Sequence, residues 1–276
     1  MLMVMAKDIE WLGMWERKAL IADEYLCVGR DPRQEAGIIC QDIREKLSLN
    51  KNDLVLDIGC GSGVFANILS PEAKCIIGYE TSFNMVKRAN SNKDKKENVR
   101  FLQGETNSFP FKDKSFSKII CYSSSFNYSI KDYQEAEVYL KEIKRISKGG
   151  ALVLIGELHD ISQKWRIAPG GINRVRRVFN SLRKKGIKGL FLKVPGRLLG
   201  RNSKAQDIKK QGEDIPVNKS QDIYYQKKWI NNSLWYSRGK MLKILEKLDL
   251  DGEIKERGGH LPYQEREFDI LFRIKA

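Results

Sequence analysis

The sequence predicts an α/β fold built on a doubly wound, mostly parallel sheet of seven strands. Three observations carry that prediction. Short apolar runs alternate with longer amphipathic stretches across 50–156, the pattern of strand–helix crossover units. The first run, LVLDI (Leu54–Ile58), passes through the glycine loop GCGSG (Gly59–Gly63) straight into a helix start. After a later helix, Glu253–Glu256 and Phe268–Ile274 read as a closing antiparallel pair. A chain of 276 residues accommodates one sizeable domain with an appendage.

The elements follow in order. Lys7–Leu49 reads as helical, with Trp11, Trp15, Leu20 and Tyr25 on a loose apolar face. Pro32 breaks that run, and Arg33–Leu47 forms a second helix leading into the first strand. Cys75–Tyr79 is a second strand ending at Glu80, and Ser82 is placed to cap the next helix. Val99–Gln103 is a third strand and Lys118–Tyr122 a fourth. A helix ending in EIKRISKGG (Glu142–Gly150) leads to a fifth strand, Ala151–Gly156. Trp235–Leu248 reads as a helix with Met241, Leu242, Leu245 and Leu248 on one face. The chain thus divides into a helical cap (1–49), a core (50–160), a basic insertion (161–234) and the rest of the core (235–276).

A strand that turns sharply into a helix leaves backbone N–H groups and the helix's positive end facing outward. Such a loop suits a nucleotide-like cofactor with an anionic end. Its glycine spacing is not the dinucleotide pattern, because Val64 stands at the sixth position, and no Gly-Lys-Ser/Thr follows. Glu80 lies 19 residues beyond Gly61, the distance at which an acid accepts both hydroxyls of a ribose. The segments D-x-G-x-G-x-G from Asp57, GYETSFNMVKRA (Gly78–Ala89), Gly104-Glu105 and Phe109-Pro110-Phe111 stand in order. Together they resemble the motifs of the class I S-adenosylmethionine-dependent methyltransferases, most closely their type 11 branch.

That resemblance implies a Rossmann-like methyltransferase fold and S-adenosylmethionine as cofactor. It implies cofactor contacts from Asp57, Gly59, Cys60, Gly61, Gly63, Glu80, Thr81, Glu105, Thr106 and Cys121. Two positions depart from the pattern: Glu105 stands for the usual Asp at the adenine, and Ser117 for an acid at the start of the fourth strand.

Other chemistries are excluded. The cysteines, Cys27, Cys40, Cys60, Cys75 and Cys121, are odd in number and show no C-x-x-C spacing. That argues for a reducing compartment and against a metal cluster. The apolar run Ala151–Ile155 is far too short to span a bilayer, and Met1–Met5 lacks the features of a signal peptide. A cytoplasmic location is the expectation, peripheral on a membrane if the insertion engages lipid.

The net charge of +15 is concentrated. Ser162–Gly212 holds fifteen Lys or Arg and one acid, Asp207, so +14 of the total lies there. Within it, Ile172, Val175, Val178, Phe179 and Leu182 share one side of a helical pattern, with Arg176, Arg177, Arg183 and Lys184 largely opposite. A basic amphipathic helix reads as membrane-surface binding; a helix packed on the core with solvated charges reads equally well. The expected acceptor is an oxygen or nitrogen of a small or lipid-linked molecule. RNA is the alternative partner, and a cofactor-binding protein without turnover the alternative function. His159, in GELHD, is the first candidate base with Asp160 as its orienting partner; an exposed loop histidine is the other reading. Tyr122, Asn127 and Tyr128 follow the fourth strand, where the substrate belongs.

Overall fold

The computed structural model describes residues 5–20, 33–92, 94–105, 109–164, 234–259, 261 and 267–276. Met1–Lys164 and Ser233–Ala276 make one compact unit, and Trp165–Asn232 another. The second unit lies outside the described residues, and with it the predicted helix Ile172–Lys185. Tyr25, Thr106 and His260 also lie outside them, as do the side chains of Trp11 and Tyr128.

Two helices, α1 (Met5–Lys18) and α2 (Arg33–Leu47), precede the sheet. Then come β1 (Leu54–Ile58), α3 (Val64–Leu69), β2 (Cys75–Glu80), α4 (Phe83–Ser91), β3 (Val99–Gln103) and β4 (Phe116–Tyr122). A one-turn helix α5 (Ser125–Tyr128) and α6 (Tyr133–Ile146) lead to β5 (Ser147–His159). The described chain ends with α7 (Arg238–Lys247), β6 (Leu250–Glu256) and β7 (Glu267–Ile274). The seven strands form one sheet in the order β3-β2-β1-β4-β5-β7-β6. The first five run parallel, and β7 pairs antiparallel with both β5 and β6.

Both faces of the sheet are covered, so its central strands read as near-continuous apolar runs. Leu56 and Ile58 face the layer containing Leu140, Ile143, Met241 and Leu245 from α6 and α7. Val55 faces the other layer, with Ile39, Ile43 and Leu47 of α2, Ala66 and Leu69 of α3, and Val86 and Ala89 of α4. Each such side chain contributes roughly 1.5–3 kcal/mol by leaving water. Local capping agrees. Met85 N donates to Ser82 Oγ, and Gln134 N and Glu135 N donate to Asp132 Oδ1.

Ser117 has a structural task at the amino ends of the strands. Leu54 N donates to its hydroxyl at 3.0 Å, and the hydroxyl donates to buried Asp53 at 2.8 Å. It thereby ties β1 to β4 at the edge opposite the site.

Several expected boundaries move. Strand β5 runs to His159 rather than stopping at Gly156, and it begins at Ser147, where α6 has ended. Gly156 is a packing glycine, not a strand end: a Cβ there would lie 2.2 Å from the Tyr122 ring. The β5–β7 register shifts between Ile155 and Leu158, and Glu157 takes φ 62. That bulge lets the strand continue beyond the glycine. Helix α7 starts three residues later than Trp235, because Ser237 caps it. Its buried face is Met241, Ile244 and Leu245, while Leu242 is exposed. On α1, Leu20 just beyond the helix is 75% exposed; Trp15 and Ala19 pack against Met85 instead.

Candidate cofactor and acceptor site

The carboxyl end of β1 carries the glycine loop. Gly59, Gly61 and Gly63 all have positive φ (72, 54 and 82), which favours glycine at each. Space is the second constraint. A Cβ on Gly59 would lie 2.5 Å from Ser124 Cβ, and one on Gly63 2.3 Å from the Phe101 ring. Gly59 N donates to Tyr79 O at 2.7 Å, pinning the loop to the end of β2.

Glu80 is held by backbone from two sides. Gly61 N donates to its Oε2 at 3.0 Å and Ser82 N to its Oε1 at 2.9 Å. Burial raises its carboxyl, and those hydrogen bonds pull the other way. Thr81 also hydrogen-bonds it through backbone, and a carboxylate offers about four lone-pair positions, so capacity for a hydroxyl donor remains. Asp57, 3% exposed, has an Oδ2 with no hydrogen-bond partner among the described residues. Burial and then Glu80 push its carboxyl up to about 7. A buried acceptor without a donor beside a second acid fits a ligand that brings a cation. The glycine cradle, Glu80 and Asp57 therefore fit S-adenosylmethionine, which carries a ribose, an ammonium and a sulfonium.

The other expected contacts fall into three groups. Thr81 is half-buried between Glu80 and Ser82, its carbonyl accepting from Gln103 Nε2 at 3.3 Å. Glu105 is exposed beyond Gly104, and its carbonyl accepts from Tyr79 OH at 3.1 Å. Cys60 and Cys121 are both buried. Burial pushes the Cys60 thiol up, reinforced by Asp57 and Glu80, and burial pushes up that of Cys121. Both therefore stay neutral at physiological pH. Cys121 Sγ lies 2.8 Å from Ser124 Oγ, and Ser124 in turn packs against Gly59 of the loop. Thr106 is not described.

The carboxyl ends of β4 and β5 are built differently. Asn127, on α5, donates its amide to the carbonyls of Gly156 and Glu157. Ser123, just after β4, and Glu157, near the end of β5, both sit in the left-handed region (φ 49 and 62). Arg257, wholly buried, donates to Tyr122 OH at 2.7 Å, to Asp269 at 3.0 Å and to Glu157 at 3.3 Å. Lys46 of α2 reaches the other Asp269 oxygen at 2.7 Å.

His159 is not a loop residue. It ends β5, is 5% exposed, and its ring lies 5.3 Å from that of Trp235. Nor is Asp160 its partner. Asp160 Oδ2 accepts from Arg238 Nε at 2.7 Å and Oδ1 from Ser162 N at 2.8 Å. Burial would raise the Asp160 carboxyl, but those bonds hold it below its ordinary value. Instead His159 Nδ1 lies 3.2 Å from Glu267 Oε1 on β7. Burial raises the Glu267 carboxyl and Glu157 adds to that, against the pull of His159 and Arg257. Glu157, Arg257, Glu267 and Asp269 were missed in the sequence. The readable signal was Glu267 and Asp269, two acids at alternate positions of an apolar strand, hence on one face. Among the described residues no cluster of His, Cys, Asp and Glu forms a metal site.

A family model described as a methyltransferase domain matches residues 56–155. The uncharacterized methyltransferase YcgJ of Bacillus subtilis is 40% identical over 96 residues, 34% of this chain and 36% of that protein. A demethylmenaquinone methyltransferase of Lactococcus lactis is 33% identical over 112 residues, 38% of this chain and 42% of that protein. The chain thus spans about two fifths of the length of these relatives. In fold, it is similar to the N-methyltransferase NodS of Bradyrhizobium japonicum, solved with S-adenosyl-L-homocysteine: TM-score 0.58, 14% identity, covering 96% of this chain and 98% of NodS. The matched methyltransferase domain thus runs from the first strand through the glycine loop to the fifth strand of the seven-stranded sheet.

Proposed function

We propose that this chain transfers a methyl group to an oxygen or nitrogen of a small or lipid-linked acceptor. The observation that carries the reading is Glu80, fixed between Gly61 N and Ser82 N beside the unpartnered oxygen of Asp57. In this reading Glu80 accepts the ribose hydroxyls, Asp57 faces the cationic end, Glu105 reads the adenine, and Gly59–Gly63 makes room. Thr81 and Cys60 belong to the same pocket in this reading, with Cys121 behind it. S-adenosylmethionine supplies an electrophilic methyl on its sulfonium.

The chain's own residues align the acceptor and remove its proton. Alignment alone supplies about 7–11 kcal/mol and a general base about 10²–10⁴-fold. His159 is the proposed base, with Glu267 in the orienting role expected of Asp160. A carboxylate on Nδ1 leaves Nε2 as the acceptor of a proton. The basic segment 162–212 is proposed to meet an anionic membrane surface. Support comes from its charge and its apolar stripe, since nucleic acid would use the charges alone. One relative is named for a quinone acceptor, which agrees with a lipid-linked substrate.

The test is incubation of the purified chain and methyl-labelled S-adenosylmethionine with cell extract, fractionated into lipid, RNA, protein and small molecules. Label in the lipid or small-molecule fraction is expected, and His159→Ala should reduce it while cofactor binding persists. Label in RNA would replace this acceptor class, and cofactor binding without any label would leave a binding protein.

A further inference from the structure

Glu16, on the last turn of α1, directs its carboxylate at the start of α4. Phe83 N donates to Oε1 at 2.7 Å and Asn84 N to Oε2 at 3.0 Å. Asn84 Nδ2 donates back to Glu16 O at 3.3 Å, and Arg88 Nη1 donates to Ala19 O at 3.0 Å. The first N–H groups of a helix find no partner inside it. In α4 the first two are taken by Glu16 and the third by Ser82 Oγ. The N–H of Ser82 rests on Glu80, whose other oxygen accepts from Gly61. A continuous run of contacts therefore joins α1 to the glycine loop through the acid assigned to the ribose.

We propose that Glu16 is a positioning residue of the cofactor site, so that docking of α1 and binding of the cofactor strengthen each other. The proposal rests on the cofactor reading above and adds a residue from outside the methyltransferase motifs. A carboxylate on the first turn of α4 stabilises that turn, and the turn carries Ser82, which holds Glu80. Charge gives the coupling a preference. Glu16 disfavours the negative form of Glu80, adding to the larger effect of burial. A cation in the site relieves that repulsion. S-adenosylmethionine has the sulfonium charge and S-adenosylhomocysteine lacks it, so α1 docking favours the cofactor over its product. Linkage makes the coupling reciprocal: either ligand must also hold α1 more firmly in place.

Calorimetry on the full chain with each of the two ligands tests this, using wild type, Glu16→Ala and Glu16→Gln. Hydrogen exchange over residues 12–20, with and without S-adenosylhomocysteine, supplies the reciprocal measurement. The expected loss of affinity is roughly ten-fold for Glu16→Ala. Glu16→Gln, which keeps one acceptor, should lose less. Both variants should lose more affinity for S-adenosylmethionine than for its product, and the product should slow exchange over residues 12–20. Affinities within about two-fold of wild type in the variants, or exchange untouched by ligand, would overturn the proposal; a fall in melting temperature alone does not rescue it. Should Glu16→Ala fail to fold, Glu16→Gln decides. Equal losses for the two ligands would remove the charge preference. A wild type that binds neither ligand overturns the cofactor reading itself, and this proposal with it.

Discussion

The carboxyl ends of β1 and β2 and those of β4 and β5 lie in one sheet, yet they are organised by opposite means. On the β1–β2 side the shape comes from backbone: positive-φ glycines, N–H groups and one acid they hold. On the β4–β5 side it comes from buried charged side chains, Arg257 with Glu157 and Asp269, and Lys46 with Asp269. A backbone cradle can be written in a short stretch of sequence. A charge network draws its members from wherever the topology brings strands together. The first arrangement suits a ligand that is always the same, and the second suits one that differs between relatives.

The largest effect that tests this contrast is on stability. Arg257→Met leaves Glu157 and Asp269 buried with fewer partners, and breaking such a set costs about 3–5 kcal/mol. Denaturant titration should show that loss, with S-adenosylhomocysteine still bound by the folded fraction. A loss of cofactor affinity without a loss of stability would erase the distinction between the two sides. Glu80→Ala should do the reverse. It removes the acceptor proposed for the ribose hydroxyls, at an expected cost of about 2–3 kcal/mol in cofactor affinity, read by calorimetry. An unchanged affinity would move the cofactor site elsewhere.

A smaller effect depends on pH. Burial, then Glu80, lifts the Asp57 carboxyl from 3.8 to about 7. Because the folded value is the raised one, folding favours protonated Asp57. That contribution is complete below the unfolded value and is lost as pH climbs through the folded one. The cofactor-free protein should therefore lose roughly 2 kcal/mol of stability from this group between pH 5 and 7, and Asp57→Asn should flatten that part of the profile. Parallel profiles for the two proteins would show that Asp57 ionises freely. Smallest is Ser117→Ala, at the opposite edge of the sheet. Loss of its hydrogen bonds to Leu54 N and Asp53 should cost about 1 kcal/mol of stability and leave cofactor binding alone.

The same contrast explains what was legible in the sequence. The individual strands, the glycine loop, the position of Glu80 at the end of β2 and the Ser82 cap were readable because each is a local pattern within a few dozen residues. Leu242 was misplaced on the buried face of α7 because a helical stripe has a width, and only packing against β6 and β7 selects its centre. Gly156 was read as a stop because glycine often ends strands; the contact with Tyr122 that explains it lies on another strand. Asp160 was paired with His159 through proximity in the chain. In a strand, successive side chains face opposite sides. Asp160 therefore goes to Arg238, and the partner of His159 comes from β7. Glu16 shows the same limit, since its hydrogen-bonding partners, Phe83 and Asn84, are far along the chain.

One last feature bears on how such a protein changes over evolutionary time. Asp160 and Tyr236 form a bridge, Tyr236 N donating to His159 O at 2.7 Å and Ile161 N to Tyr236 O at 3.0 Å. The chain on either side of residues 161–235 is therefore joined at a single point of the sheet. The entropy of closing such an excursion grows only logarithmically, by about 0.6 kcal/mol for each doubling of its length. An inserted or exchanged segment would meet the same two anchoring hydrogen bonds and leave the register of β5 with β7 untouched. The bridge acts as a socket: lineages can rewrite the chain beyond it while the half of the sheet that carries the glycine loop stays as it is.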